Sequence, residues 1–462
     1  MSQPESAFWP AHKLTLEQLE ADTASGAIDT VVVTSADIQG KLFGKRVPAD
    51  LFVAELKDGI HLASATLIYD NDWAFLEGFP EIGAQNAWAD MHTIPDLRTL
   101  RRYSHIERTA ICLADCQWAD HSPVEYLPRR ILQRQLDACA ELGYVPVCAA
   151  ETEFFLFDES FDSAREKNWH DLARVHRTLP DYSIFRSNLD EQFMGLLRRH
   201  LIASGIPIES VKHEWGQGQN ELALVYCEAL EAADRITLFK SIVKEVADQQ
   251  GKSATFMARY DHRESGSSGH VHQSLWSADL ERNLLADDED PSRLSELGRW
   301  WLGGQMALAP DLMPLFCPNV NSYKRLNLDT FGPTTMAWGL DVRTVPYRLV
   351  GSGRSMNFEN RIPGADANFY LAIAGMVAAG LHGIEHRIEP PSEPVTTSES
   401  VPGEQLPITL PDALDRFEAS EFARAALGEK VVEHLVVAGR HELDVYRREV
   451  SDIERRRYFQ WA

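Results

Sequence analysis

The feature that most constrains this chain is a strand-like run, Val145-Pro-Val-Cys-Ala-Ala-Glu-Thr-Glu-Phe-Phe-Leu-Phe157, with two carboxylates in its middle. A strand repeats every two residues, so Glu151 and Glu153 project from the same face of whatever sheet it joins. Four more acid or imidazole side chains, Glu214, Glu221, His270 and Glu359, sit in strand-like stretches further on. Taken singly, each reads as a solvated strand end. Gathered on one surface, five carboxylates repel one another and need cationic partners. Oxygen donors with one imidazole and no thiolate favour Mg²⁺ or Mn²⁺ over zinc, so the pattern predicts a two-metal site.

Composition limits what else the chain can be. Its 462 residues are enough for two domains with substantial cores. A formal charge of −24 argues against nucleic acid or an anionic membrane surface as partner. The six cysteines include no CxxC pair, so they read as reduced thiols of a cytoplasmic protein. Met-Ser-Gln-Pro-Glu-Ser lacks the basic start and apolar core of a signal peptide. Phe369–Ile384 is apolar but short and interrupted by glycine and histidine, which predicts a buried helix rather than a membrane span.

Residues 12–115 read as a small α+β domain, with a helical opening around Leu14, Leu16 and Leu19, the β-branched run Thr30–Thr34, and a strand and turn punctuated by Gly40 and Gly44. Residues 116–462 read as a larger unit in which helix hands over to strand. A helix from Pro128 to Leu142 stops at Gly143 before the Glu151 strand. Helices are expected over Asp190–Ala203, Ala232–Gln250 and Ser292–Leu308, with a strand at Ser253–Ala258. Glu389–Pro407, rich in Pro, Ser, Thr and Glu, reads as a loop or linker, and the chain turns helical from Leu410.

Two further groups carry chemistry. In His213-Glu-Trp-Gly-Gln-Gly-Gln-Asn-Glu221 two glycines permit a sharp turn, so that Glu214 and Glu221 can converge on one cation; a plain hairpin is the alternative. Ser265-Gly-Ser-Ser-Gly-His-Val-His-Gln-Ser274 places His270, His272 and Ser274 on one strand face behind a flexible loop. The other group is cationic: Asn321-Ser-Tyr-Lys-Arg325, Arg343, Arg348 and Asn357-Phe-Glu-Asn-Arg361. Arginine offers fixed planar donors to carboxylate and phosphate oxygens, as phosphoryl transfer requires; structural ion pairs are the alternative.

The order Glu-x-Glu, His-Glu-x-Gly-x-Gly-Gln-x-Glu, Gly-His-x-His-x-Ser, Asn-Ser-Tyr-Lys-Arg, Arg-x₄-Arg and Glu-x-Arg resembles the glutamine synthetase family, from about residue 30 to the end of the chain. The resemblance implies an α+β protein: an N-terminal β-grasp domain and a C-terminal catalytic domain with a curved antiparallel sheet and flanking helices. It implies a homo-oligomer, a dodecamer of two hexameric rings with active sites between neighbours. It also implies two Mg²⁺ or Mn²⁺ per site, one on Glu153, Glu214 and Glu221 and one on Glu151, His270 and Glu359. ATP would be a substrate, its phosphates held by Arg343 and Arg348 and its adenine near Ser274. Gly266, Arg325 and Arg361, with Glu214, would hold glutamate, and Arg325, Arg343 and Arg361 would be the catalytic cations.

The sequence departs from the family's ammonium-using enzymes at two places. Six residues after Arg325, where those enzymes carry a glutamate, stands Phe331. Their Asp-Gly-Ser-Ser loop is replaced by His61-Leu-Ala-Ser-Ala-Thr66. An aromatic ring in place of a carboxylate removes an anionic subsite and can pack an alkyl chain. The expectation is ligation of the γ-carboxylate of glutamate to an organic amine (ethanolamine, an alkylamine or a polyamine) through γ-glutamyl phosphate, with Phe331 and Asp329 at the amine pocket and Asp70 or Asp72 as further acids. Ordinary glutamine synthesis and a non-catalytic structural relative are the alternatives. No tyrosine-bearing adenylylation loop is found in Glu389–Pro407.

Overall fold

The β-branched run that begins at Thr30 is the central strand of the smaller of two sheets. This is a computed structural model; it describes residues 13–55, 59–79, 82–179, 181–327, 332–390, 394–397, 401 and 403–461. The smaller sheet holds β1 (Thr30–Ala36), β2 (Leu42–Pro48), β3 (Ile60–Ala63), β4 (Asp90–Pro95), β5 (Arg101–Arg102) and β6 (Thr109–Gln117), in the order β2-β1-β6-β4-β3 with β5 beside β6. Only β1 and β6 run parallel among its described pairs. Gly40, at φ +78°, turns β1 back into β2, a conformation that costs glycine little. The helix Leu16–Ser25, closed at its start by a capping box of Thr15 and Gln18, and the helix Ala49–Glu55 cover one face. Leu19 and Phe52 pack there against Val31, Val33, Ala110 and Cys112. Sheet and helices form the grasp domain.

The larger sheet is built around β7 (Tyr144–Phe157), with β8 (Ile208–His213), β9 (Gln219–Leu224), β10 (Cys227–Glu228), β11 (Ser253–Thr255), β12 (Gly269–Ser277), β13 (Trp338–Leu340), β14 (Tyr347–Val350) and β15 (Asn357–Asn360). Its order is β13-β14-β15-β12-β7-β9-β8, and both β10 and β11 also pair with β7. The sheet curves and is antiparallel except between β13 and β14. The helices Pro128–Glu141, Ala229–Gln249, Glu296–Leu308 and Phe369–His386 supply the largest core cluster behind it. The last two cross closely, since a Cβ on Gly304 would lie 2.2 Å from the carbonyl oxygen of Ala379. Phe369–His386 is buried along nearly its whole length, as its apolar sequence predicts. Among the described residues no helix is long and apolar enough to cross a membrane.

Several boundaries differ from the sequence reading. The helix expected to begin at Asp190 starts at Ile184, capped by Ser183, and the one expected from Ser292 starts at Glu296, capped by Ser295. In both cases the cap, rather than the apolar period, fixes the start. The strand expected to reach Ala258 ends at Thr255. The stretch from Leu410 is four helices, the third of them Glu429–Arg448. The segment read as a linker is tied down in part, because Val395 bridges Gly339 and packs with Ala337 and Val345.

Candidate active site

Strand register brings the predicted acids together. Glu153 pairs with Glu221 across β7 and β9, Glu151 with His270 across β7 and β12, and Glu359 with His272 across β15 and β12. Between β8 and β9 the chain turns through Gly216 and Gly218. A Cβ on Gly216 would lie 2.6 Å from the Phe155 ring, and Gly218 sits at φ +84°. The turn carries Glu214 back to its partners, so Glu153, Glu214 and Glu221 each bring a ligand atom within 4.8 Å of the others. Glu151, His272 and Glu359 form a second such group.

The second group has His272 where the sequence reading set His270, and both rings stand close by. It places two imidazoles at Glu151. His270 Nδ1 lies 3.1 Å from Glu359 and 3.8 Å from Glu151, while His272 Nε2 lies 3.3 Å from the other oxygen of Glu151. Period two put both rings on one face without telling which ring nitrogen would reach which carboxylate.

The electrostatics divide the two groups. Burial, reinforced by Glu214, pushes Glu153 up to about 7, and burial with Glu151, Glu153 and Glu214 pushes Glu221 up to about 9. Lys212 presses its ammonium on Glu214 and lies 3.7 Å from Glu221, a protein cation set among these acids. Burial would also raise Glu359, but Arg361, His270 and His272 bring it down to about 2. Burial and then Arg361 lower His270 to about 4, whereas His272 rises to about 9 because hydrogen bonding and charge from Glu151 and Glu359 outweigh its burial.

A cavity of about 420 Å³ opens over these acids, and Arg325, Arg343, Arg348 and Arg361 line it together with Gly266. Glycine is required at 266 because a Cβ there would lie 2.3 Å from Arg325 Cγ. Arg325 and Arg361 are buried, and Arg348 donates to Glu359 at 2.8 Å. On the other side of Glu151 lies a second cavity of about 340 Å³, lined by Ser274, His272, Tyr226, Trp276 and Arg354. The guanidinium of Arg354 stacks 4.8 Å over the Trp276 ring. Asp329 and Phe331 lie outside the described residues. Asp70 and Asp72 line neither cavity; Asp70 caps its own turn and meets His441 at 3.1 Å.

The sequence reading missed Asp181, Tyr182, Lys212 and Trp215 on the first cavity. Lys212 could have been found, since two residues along β8 and just beyond it share a face with Glu214. Asp181 and Tyr182 sit in an aperiodic loop with no such signal. Gln219, inside the quoted motif, donates to Glu153 at 2.9 Å, and the Ser268 amide does so at 2.9 Å.

Comparison with known proteins agrees with this geometry. Residues 125–458 match the glutamine synthetase catalytic domain. The γ-glutamylethanolamide synthetase GlnA4 of Streptomyces coelicolor is 40% identical over 97% of this chain and 96% of that protein. The glutamate–isopropylamine ligase of a Pseudomonas species is 35% identical over 88% of this chain and 90% of the relative. The structure of GmaS without ligand superposes with a TM-score of 0.83 at 28% identity, covering 95% of this chain and 98% of the other. The chain belongs to the glutamine synthetase family. It is a carbon–nitrogen ligase, and such ligases use ATP and divalent metals, for which the two acid groups offer fitting donors.

Proposed function

We propose that this protein joins the γ-carboxylate of L-glutamate to an organic amine, forming a γ-glutamylamide with ADP and phosphate as co-products. The observation that carries the reading is that two cavities meet at Glu151, one ringed by arginines above acid clusters and the other flat-walled with Trp276 and Arg354. The amine part rests on Phe331 standing where ammonium-using enzymes carry an acid, and on relatives named for an ethanolamide product and an isopropylamine substrate.

Glu153, Glu214 and Glu221 would hold one Mg²⁺ or Mn²⁺ and Glu151, His270 and Glu359 the other, with His272 beside them. The donors fit, because buried carboxylates crowded until two are driven toward protonation are a site that lacks positive charge. When bound, the ions supply charge neutralisation at the phosphates. Ser274 would border the adenine, and Arg343 and Arg348 would hold phosphate oxygens. Arg325 and Arg361, beside Gly266 and Glu214, would orient glutamate so that a γ-carboxylate oxygen attacks the γ-phosphorus in line as ADP leaves. The amine nitrogen then attacks the acyl carbon of γ-glutamyl phosphate, phosphate leaves, and the nitrogen gives its proton to a base, for which Asp181 lines the cavity.

We further read residues 12–115 and 116–462 as two domains meeting at the end of β6, the assembly as a dodecamer of two hexameric rings, and the location as cytoplasmic. The test of function is phosphate release with glutamate and ATP fixed, comparing kcat/KM for ammonium, methylamine, ethanolamine, putrescine and spermidine. An organic amine should lead. If ammonium beats every amine, ordinary glutamine synthesis replaces this reading.

A further inference from the structure

We propose a third metal site, of zinc type, formed by His176, Asp190 and His213 outside both acid groups. The three side chains come from separate elements: a loop after β7, the helix Ile184–Ala203, and the last residue of β8. Their ligand atoms lie within 4.8 Å of one another. The two imidazole rings stand edge to face, with centroids 4.8 Å apart and planes at 89°. Both aim Nε2 at the same Asp190 oxygen: His176 is in contact with Oδ2, and His213 lies 3.5 Å from it.

Hydrogen bonding alone does not account for this cluster. If His213 donates from Nε2 to Asp190, its Nδ1 is left buried, where it has no hydrogen-bond partner. If the proton sits on Nδ1, the side chain of Asn220, paired with His213 across β8 and β9, and the Gln219 carbonyl stand on that side as acceptors. Nε2 then points a lone pair at a carboxylate. A cation between them removes the conflict, and a ligating histidine commonly holds its other ring nitrogen against an oxygen acceptor in this way. Two imidazoles and one carboxylate, with a fourth position for water, form a donor set that zinc takes, and nitrogen donors select Zn²⁺, Co²⁺ or Ni²⁺ over Mg²⁺.

Both histidines are buried, and the Asp190 side chain keeps 14% exposure, which leaves an entry from solvent. Alternation along the strand turns His213 away from Lys212 and the active-site cavity, so the ion would brace the end of β8 just before Glu214 without entering the reaction.

The test uses the full-length protein stripped with chelator and returned to excess Mg²⁺. Added Co²⁺ should give the intense visible bands of a tetrahedral nitrogen-containing site, and the bands should persist in Glu153→Gln and Glu359→Gln. They should vanish in His176→Ala and Asp190→Asn and survive His386→Ala, which removes the other described histidine-rich group, His382, Glu385 and His386 on an exposed helix end. Weak octahedral bands alone in the wild type, intense bands that outlast both His176→Ala and Asp190→Asn, or bands lost with His386→Ala overturn the site. Zn²⁺ should also raise the Tm of the wild type in saturating Mg²⁺, which decides the matter if the variants do not fold; an unchanged Tm counts against it.

Discussion

Glu153 and Glu221 stand directly opposite one another in the antiparallel pair of β7 and β9, and both are buried. Like charges in that arrangement destabilise a sheet. Burial and the neighbouring acids accordingly raise the two carboxyls to about 7 and about 9, above the ordinary 4.5. Such groups bind more protons folded than unfolded, so their contribution is present below about 4.5 and is lost as pH rises through the folded values. His272, also raised to about 9, acts in the same direction. Metal-free protein should therefore lose Tm from slightly acid pH toward pH 9, and saturating Mg²⁺ should flatten the slope. Melting curves in chelator that stay level or rise over that range contradict the account.

The two acid groups should be separately essential. Glu153→Ala and Glu359→Ala should each lower ATP-dependent ligation by more than roughly a hundredfold at saturating Mg²⁺, in the range seen when charge-stabilising groups are deleted. Asp279→Ala, at an exposed acid that only caps its own turn, should leave activity unchanged. Turnover close to wild type in either glutamate variant removes the two-metal reading.

Much of this site was legible because it lies on strands. Period two alone grouped Glu151 with Glu153 and His270 with His272, and two glycines marked the turn that returns Glu221 to Glu214. What period cannot supply is register between distant strands, such as the pairing of Glu359 with His272 or of Arg348 with Glu359, which depends on how β12, β14 and β15 assemble. Helix starts at Ile184 and Glu296 were hidden because a single serine cap sets each of them. Asp181 and Tyr182 were invisible for want of any repeat in their loop. Tyr182 even takes a positive φ of 53°, a choice made by its surroundings rather than its residue type.

Arg129 ties the small sheet to the helical layer. Buried itself, it reaches Asp234 at 3.0 Å, Asp96 at 2.8 Å and Asp115 at 3.1 Å, and Tyr370 adds a 2.6 Å hydrogen bond to Asp234. Arg129→Met would leave Asp234 buried without its cation, a change that costs about 3–5 kcal/mol in comparable buried pairs. Urea unfolding should report a loss of that size. A loss no larger than the ~0–1 kcal/mol of an exposed pair would mean that the cluster is not holding the two layers.

Assembly offers an independent check. Exposed aromatic rings cluster on the small domain, where Tyr69 stacks on Phe75 at 5.0 Å and Phe75 meets Trp88 at 4.7 Å. Trp73, Phe75 and Trp88 are 64%, 46% and 41% exposed, more apolar surface than one isolated chain has reason to present. Light scattering at assay concentration should return the mass of a ring assembly of about twelve chains, following the closed symmetry of most oligomers. Fully active monomers would exclude a site completed by a neighbour.

The amine itself gives the sharpest discrimination. Ammonium is small and strongly hydrated, and an enzyme that uses it must replace that hydration with several anionic or polar contacts. The sequence resemblance sets Phe331 and His61–Thr66 at the two places where it implies acids in ammonium-using enzymes. A carbon chain can recover the binding through burial, at about 0.8 kcal/mol per CH₂, so kcat/KM should climb about fourfold per carbon from methylamine to propylamine until the pocket is filled. Phe331→Ala tests the proposed place of that ring beside the amine and should flatten the series. Phe331→Glu should depress the longer amines without giving good ammonium use, because the second acid would still be missing. A chain-length series that is flat in the wild type, or efficient glutamine formation by Phe331→Glu alone, would show that the amine is chosen elsewhere in the site.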